Sequence, residues 1–279
     1  MAQETGDCII LSSCKYVAST NVIAVTSEIQ DLINWGIANN AVLNSDIEIY
    51  RDSVTGLSFK ATQDLPPKSQ VVTCSYNTSL SYLNAIQAPG FPSRSPPLPP
   101  HFLEILSEED PHIIGHFFLM QQFLLMDKSF WYPYIRLLPQ PGDARGLGIP
   151  IWWPEEDQAF LVGTNAEPAI VKRRQLLMED WEKGIGLLMK SDGEAWEAFG
   201  YEGYNLYQWA ATIFGSRSFR ASLTVAEGLV EGIPREREHV EKDRFSVLWP
   251  ILDVGNHDGI NNANWKADME HGMTFDPLF

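Results

Sequence analysis

Cysteine is scarce in this sequence. Of 279 residues, Cys8, Cys14 and Cys74 are the three cysteines, an odd number at spacings that match neither a zinc site nor a dense disulfide framework. Reduced thiols are the expected state, and with them a cytoplasmic or nuclear setting. No segment approaches about 18 uninterrupted apolar residues, and the first residues lack the basic region and apolar stretch of a secretion signal. Neither membrane spanning nor export is expected. Positive charge is also short: 20 Lys and Arg stand against 36 Asp and Glu, for a formal net charge of -16. A protein that tracks nucleic acid needs clustered cations to displace counterions, so a basic polypeptide is the partner this surface accommodates more readily. The common catalytic signatures are missing as well. There is no P-loop, no complete dinucleotide fingerprint, no G-x-S-x-G elbow, no H-E-x-x-H helix and no fixed-period repeat.

What is present is a chain with 44% hydrophobic residues, enough to bury a substantial core in one or two domains. Ser27 and Gln30 have capping-box spacing, and Ile29, Leu32, Ile33 and Gly36 follow helical periodicity, which predicts a helix from Ser27 to Ile37. Ile47 and Ile49, a turn at Gly56, alternation from Leu57 to Ala61, and Val71 with Val72 read as small twisted β-structure. Six prolines between Ala88 and Pro100 predict an exposed loop. Beyond it the pattern turns helical around Ile113 to Leu125, then from Glu167 to Met189 and from Tyr204 to Phe214. The charged segment from Glu227 to Asp243 reads as exposed, and Val247 to Leu252 as a buried strand. The order β, then mostly α, then β suits an α+β protein whose β-rich part is interrupted by helices.

Three clusters could carry chemistry. An apolar run, Leu248-Trp-Pro-Ile-Leu-Asp-Val-Gly-Asn-His257, ends in polar groups and flexible backbone, a good place for a ligand and equally a plain turn with a hydrogen-bonded histidine. The stretch from Thr55 to Leu65 places Gly56 where backbone could approach a charged amino-acid group, or where a hairpin simply turns. Trp209 to Phe219 ends a helix with Arg217, able to pair a ligand carboxylate or to bind the last helix carbonyls. Asp253, His257, Asp258 and His271 could be written as a metal set, but their spacing is not specific to one.

Taken in order, Gly56-Leu-Ser-Phe-Lys-Ala-Thr-Gln-Asp-Leu65, Ser129-Phe-Trp-Tyr-Pro-Tyr-Ile135, Trp209 to Phe219, and Pro250-Ile-Leu-Asp-Val-Gly-Asn-His257 resemble the SET-domain protein methyltransferases. The similar branch carries a helical insertion and includes the Rubisco large-subunit lysine methyltransferase and the actin histidine methyltransferase. The resemblance runs from Asp31 to Trp265. It implies a β-rich SET core split by a mainly helical insertion at about residues 80 to 205, after an N-terminal segment 1–25 and a first core part 26–79, with 206–279 completing the core. It implies S-adenosylmethionine as cofactor and methylation of a lysine or histidine nitrogen in a protein, without a metal. Thr55, Gly56 and Leu57 match the loop whose backbone holds the amino-acid end of the cofactor, although relatives often have Glu at the first of these and a second glycine at Ser58. Arg217 matches an arginine near the methionine carboxylate. Asn256 and His257 match the Asn-His pair that contacts the cofactor, and Asp253 belongs to the same segment.

The resemblance also sets an expectation for the end of the sequence. After His257, residues 258 to 279 contain no tyrosine, whereas relatives follow the Asn-His segment with a strand bearing a tyrosine that shapes the catalytic site. The expected consequence is an inactive or incomplete form, with a non-catalytic cofactor- or protein-binding module as the alternative.

Overall fold

The computed structural model describes residues 26–52, 56–66, 68–191, 197, 203–256 and 263–277. Helix α1 (Ser27–Ala38) starts at the expected residue and runs one residue further, but it is capped differently. The N-cap is Thr26, whose hydroxyl accepts from the Ile29 N–H, rather than Ser27. Its inner stripe of Ile29, Leu32 and Gly36 is buried. The β-structure that follows is short and antiparallel. Strands β1 (Val42–Leu43) and β4 (Val72–Cys74) pair, and β2 (Ile47–Asp52) pairs with β3 (Gly56–Ala61) in the register Asp52↔Gly56 through Ile47↔Ala61. A third small sheet has the order β5-β7-β6, from Leu80–Ser81, Ser246–Leu248 and Phe219–Arg220. Its outer strands are separated along the chain by the helical region, which is why that region can be placed between two halves of one β-structure.

The helical region is built on α2 (Pro100–Glu109), α3 (Pro111–Leu124), α4 (Ala166–Ser191) and α5 (Gly203–Arg217). Helix α3 is mostly apolar with no single solvent face, and it is buried along most of its length, His116, Gln121 and Gln122 included. Phe117 stacks on Trp181 of α4 at 5.4 Å and meets Phe102 of α2 edge-on at 5.4 Å. The close approach needs glycine at one point: a Cβ on Gly184 would lie 2.2 Å from the Phe117 ring. Two buried tryptophans find polar partners, Trp131 Nε1 donating to the Thr78 carbonyl (3.0 Å) and Trp209 Nε1 to that of Pro139 (2.7 Å).

Several expectations change here. The proline-rich segment is not simply exposed, because Phe91 and Leu98 are buried in the core and Pro100 opens α2 as its first residue. Nor is the charged segment wholly exposed. Helix α6 (Pro234–Glu241) buries Glu236 and His239, with His239 Nε2 against the Ser107 carbonyl at 2.7 Å and the Tyr82 hydroxyl donating to Glu236 at 3.3 Å. The strand expected over Val247 to Leu252 ends at Leu248, since Pro250 has no N–H to continue a ladder and Ile251 takes φ 73°. After His257 the chain forms a hairpin, β8 (Ala263–Asp268) and β9 (Gly272–Pro277), and β9 pairs with β4 in the order β1-β4-β9-β8. A Cβ on Gly272 (φ 83°) would come 2.2 Å from the Cys74 carbonyl oxygen, so glycine lets this strand lie against β4. None of the described helices is long and apolar enough to cross a membrane.

Candidate functional site

Three well-separated stretches of chain meet at the end of β7, and each is directed there by a local backbone or packing feature. Strand β3 opens on Gly56 at φ 80°, a left-handed conformation that glycine adopts without cost. A Cβ there would meet nothing within 4 Å, so backbone conformation rather than crowding calls for glycine. Two residues on, Ser58 is buried at a negative φ, and its hydroxyl oxygen accepts from Asn256 Nδ2 at 3.1 Å. This bond ties β3 to the segment after β7.

That segment turns on Ile251, whose φ of 73° is a strained conformation for a β-branched residue. Surrounding contacts hold it. The Asp253 N–H donates to the Trp249 carbonyl at 3.0 Å, the Val254 N–H to the Ile251 carbonyl at 3.1 Å, and the Cys74 thiol to the Pro250 carbonyl at 3.1 Å. Burial pushes the Cys74 thiol pKa up, so it remains a protonated donor rather than a reactive thiolate. On the other side, Ile251 Cδ1 would lie 2.2 Å from a Cβ on Gly36, so α1 carries glycine where the turn presses on it. Backbone strain at such a turn costs on the order of 1–3 kcal/mol; here it directs Asp253 inward.

Asp253 is the electrostatic centre of the arrangement, its side chain only 1% exposed. The Tyr134 hydroxyl donates to Oδ2 at 2.6 Å. Arg217, the last residue of α5, donates from Nη1 to the Asp253 carbonyl at 3.3 Å, and the same nitrogen lies 3.8 Å from Oδ2. The second carboxylate oxygen, Oδ1, is buried without a hydrogen-bond partner among the described residues. Burial pushes the Asp253 carboxyl up to about 6, overriding the opposing pull of Arg217 and of the Tyr134 hydrogen bond. Burial, followed by the Asp253 charge, raises Tyr134 well above its ordinary value and keeps it a neutral donor.

Beside this cluster lies an open cavity of about 240 Å³, walled by Leu147, Ile213, Arg217, Asp253, Gly255 and Asn256 among others. Arg217, Asp253 and Asn256 therefore share one cavity, and Ser58 carries β3 to its edge. Leu57 joins the hydrophobic core. Thr55 and His257 lie outside the described residues, as does Asp258. His271 is elsewhere on the chain's surface, on the β8–β9 turn, its Nδ1 3.2 Å from Asp268 Oδ1. Sequence reasoning did not assign functions to Tyr134 or Ser58. Tyr134 lay within a motif already singled out, and the need of a buried phenol for a polar partner was the signal available.

The small antiparallel β-structure interrupted by helices has the SET-domain fold, as two solved structures show, and the chain resembles the branch of SET-domain protein methyltransferases that includes the Rubisco large-subunit enzyme. The crystal structure of the SET domain of LSMT bound to lysine and AdoHcy superposes with a TM-score of 0.61 at 14% identity, covering 91% of this chain and 51% of that one. Rubisco LSMT bound to sinefungin and monomethyllysine gives 0.59 at 16% identity, covering 90% and 49%. In sequence, the chain is 24% identical over 246 residues to the ribosomal lysine N-methyltransferase set10 of Schizosaccharomyces pombe, covering 86% of this chain and 38% of that protein. The chain thus spans well under half of this curated relative and about half of the structural ones. No protein-family model matches it.

Proposed function

We propose that this chain holds S-adenosylmethionine in the Arg217–Asp253–Asn256 cleft, as the cofactor-binding part of a protein methyltransferase that acts on a lysine nitrogen. The observation that carries the reading is the pairing of an incompletely used guanidinium with a buried carboxylate that has one oxygen lacking a donor. Arg217 lines the cavity, where it can pair with the carboxylate of the cofactor's amino-acid group, and the buried Asp253 stands behind it. The lysine acceptor draws support from the yeast relative, named for lysine methylation, and from the lysine and monomethyllysine in the two solved structures.

In this reading Arg217 binds the carboxylate, and Asp253 holds Arg217 in place and offsets its charge. The family resemblance assigns the amino-acid end of the cofactor to Thr55, Gly56 and Leu57, and further cofactor contacts to Asn256 and His257. The bound cofactor supplies a methyl group already made electrophilic by its sulfonium. The protein's contribution is orientation, worth several kcal/mol of barrier in well-aligned bimolecular reactions. We assign the cofactor pocket to the core parts 26–79 and 206–279, and treat 80–205 as an insertion that contributes Tyr134 and one cavity wall.

Isothermal titration with sinefungin tests the reading. Wild-type chain should bind it, and Arg217→Ala should weaken binding by about 10- to 100-fold, the loss of one charge-assisted contact. Arg217→Lys, which keeps charge without the planar fork, should fall between. No binding by folded wild-type chain would overturn the assignment.

A further inference from the structure

A second concavity lies on the helical region. It has a volume of about 330 Å³ and is walled by Ala159, Leu161, Val162, Ile170 and Val171, with Glu155 and Glu167 at its margin. Two of its lining side chains are bare, Val162 at 69% and Val171 at 61% exposed, and Phe160, which stands between the lining residues Ala159 and Leu161 without lining the groove itself, is 79% exposed. Large exposed apolar residues placed together mark a surface that another molecule covers. Their setting is acidic. Between positions 155 and 167 the sequence holds Glu155, Glu156, Asp157 and Glu167 and no Lys, Arg or His. Arg174 lines the groove, but its guanidinium is held by the Gln158 side-chain oxygen (3.1 Å) and the Ile151 carbonyl (3.2 Å). Glu155 and Glu167 line the groove, whereas Glu156 and Asp157 beside Gln158, and Lys172 and Arg173 beyond Val171, flank it in sequence without lining it.

The groove is also anchored to the candidate cofactor site. Leu147 walls the cofactor cavity, and the chain reaches the groove within a few residues. On the way Trp152 Nε1 donates to Thr212 Oγ1 at 2.9 Å, on the same helix that ends in Arg217. One helix thus fixes both concavities.

We infer that this groove docks a basic, apolar-anchored polypeptide segment of the methyl-acceptor protein: an apolar side chain seats against Val162 and Val171 beside Phe160, while flanking lysines or arginines face Glu155, Glu156 and Asp157. The assignment of the segment to an acceptor protein rests on the proposed methyl transfer; the groove's preference for a basic apolar peptide does not.

The test uses a fluorescent amphipathic leucine–lysine peptide, with a leucine–glutamine peptide and an all-lysine peptide as controls, titrated into the full chain at low and moderate salt. The leucine–lysine peptide should bind at least tenfold more tightly than either control and weaken as salt rises. Phe160→Ser with Val171→Ser should reduce its affinity at least tenfold, and Glu155→Gln with Glu156→Gln and Asp157→Asn at least threefold. Melting temperature and sinefungin affinity should stay at wild-type values, because these side chains are exposed and none of them lines the cofactor cavity. Unchanged peptide affinity in the Phe160/Val171 variant, equal binding of the all-lysine peptide, or burial of the patch by self-association in sedimentation would each overturn the inference. Failure of sinefungin to bind, with peptide binding and its variant dependence intact, would instead overturn the cofactor reading and remove the acceptor assignment while leaving the groove's binding preference standing.

Discussion

The helical region and the β-structure around the candidate cleft are held by different means. Helices α2, α3, α4 and α5 meet through large aromatic side chains in ordinary backbone conformations, with Phe117 against Trp181, Phe102 and Tyr207. The β-rich part has short strands and depends on special backbone: Gly56 at φ 80°, Ile251 at φ 73° and Gly272 at φ 83°. One region is stable because it buries area, while the other is specific because unusual torsions put polar groups where packing alone would not. Removing area should therefore cost stability, and disturbing the turns or charges should act on binding and pH response.

The largest effect is expected in the helical region. Phe117→Ala removes a fully buried ring and leaves a cavity against Trp181, which should cost about 3–5 kcal/mol in urea unfolding. A loss below about 1 kcal/mol would mean that this interface carries little of the fold.

Next comes the pH response of Asp253. Its folded value, pushed up to about 6, lies above the unfolded aspartate value of about 3.9, so between these the native state binds the extra proton. Its contribution to stability is fully present below about pH 4 and is lost as pH rises through 6, by up to about 3 kcal/mol. Asp253→Asn should abolish that decline, with its carbonyl still able to accept from Tyr134. Denaturant midpoints of both proteins from pH 4 to 8 would check this, and parallel curves would show that Asp253 does not titrate as described.

Arg217→Ala should lower sinefungin affinity by about 1.5–3 kcal/mol. It should also raise the Asp253 pKa further by removing the opposing charge, which infrared titration of the carboxyl band can follow. The smallest effect belongs to Gly56→Ala, where the left-handed torsion costs about 1–2 kcal/mol and no neighbour clashes. A larger loss in thermal unfolding would point to crowding that the structure does not contain.

Legibility in the sequence follows the same division. Helix α1, the span of α4 and the start of α5 were readable because apolar periodicity extends over several turns and burial follows it. The β8–β9 hairpin was not, because its residues alternate weakly and its pairing with β4 is fixed by partners some 200 positions away. The proline-rich segment misled because proline content reports the absence of helix, not exposure; Phe91 and Leu98 were the residues that went inside. At the candidate site, the family resemblance named Arg217, Asp253 and Asn256, and these three line one cavity. The Tyr134 and Ser58 contacts depend on tertiary placement, as does the strained Ile251 that aims Asp253.

The most direct test of the central claim compares two ligands that share a nucleoside and differ at the amino-acid end. Titration of the wild-type chain with sinefungin and with 5′-methylthioadenosine, which has no amino-acid group, isolates what the Arg217–Asp253 pair recognises. The account predicts a preference for sinefungin of at least tenfold, reduced to near parity by Arg217→Ala at unchanged melting temperature. Equal affinity of the wild-type chain for both ligands, or a preference that survives Arg217→Ala, would contradict it.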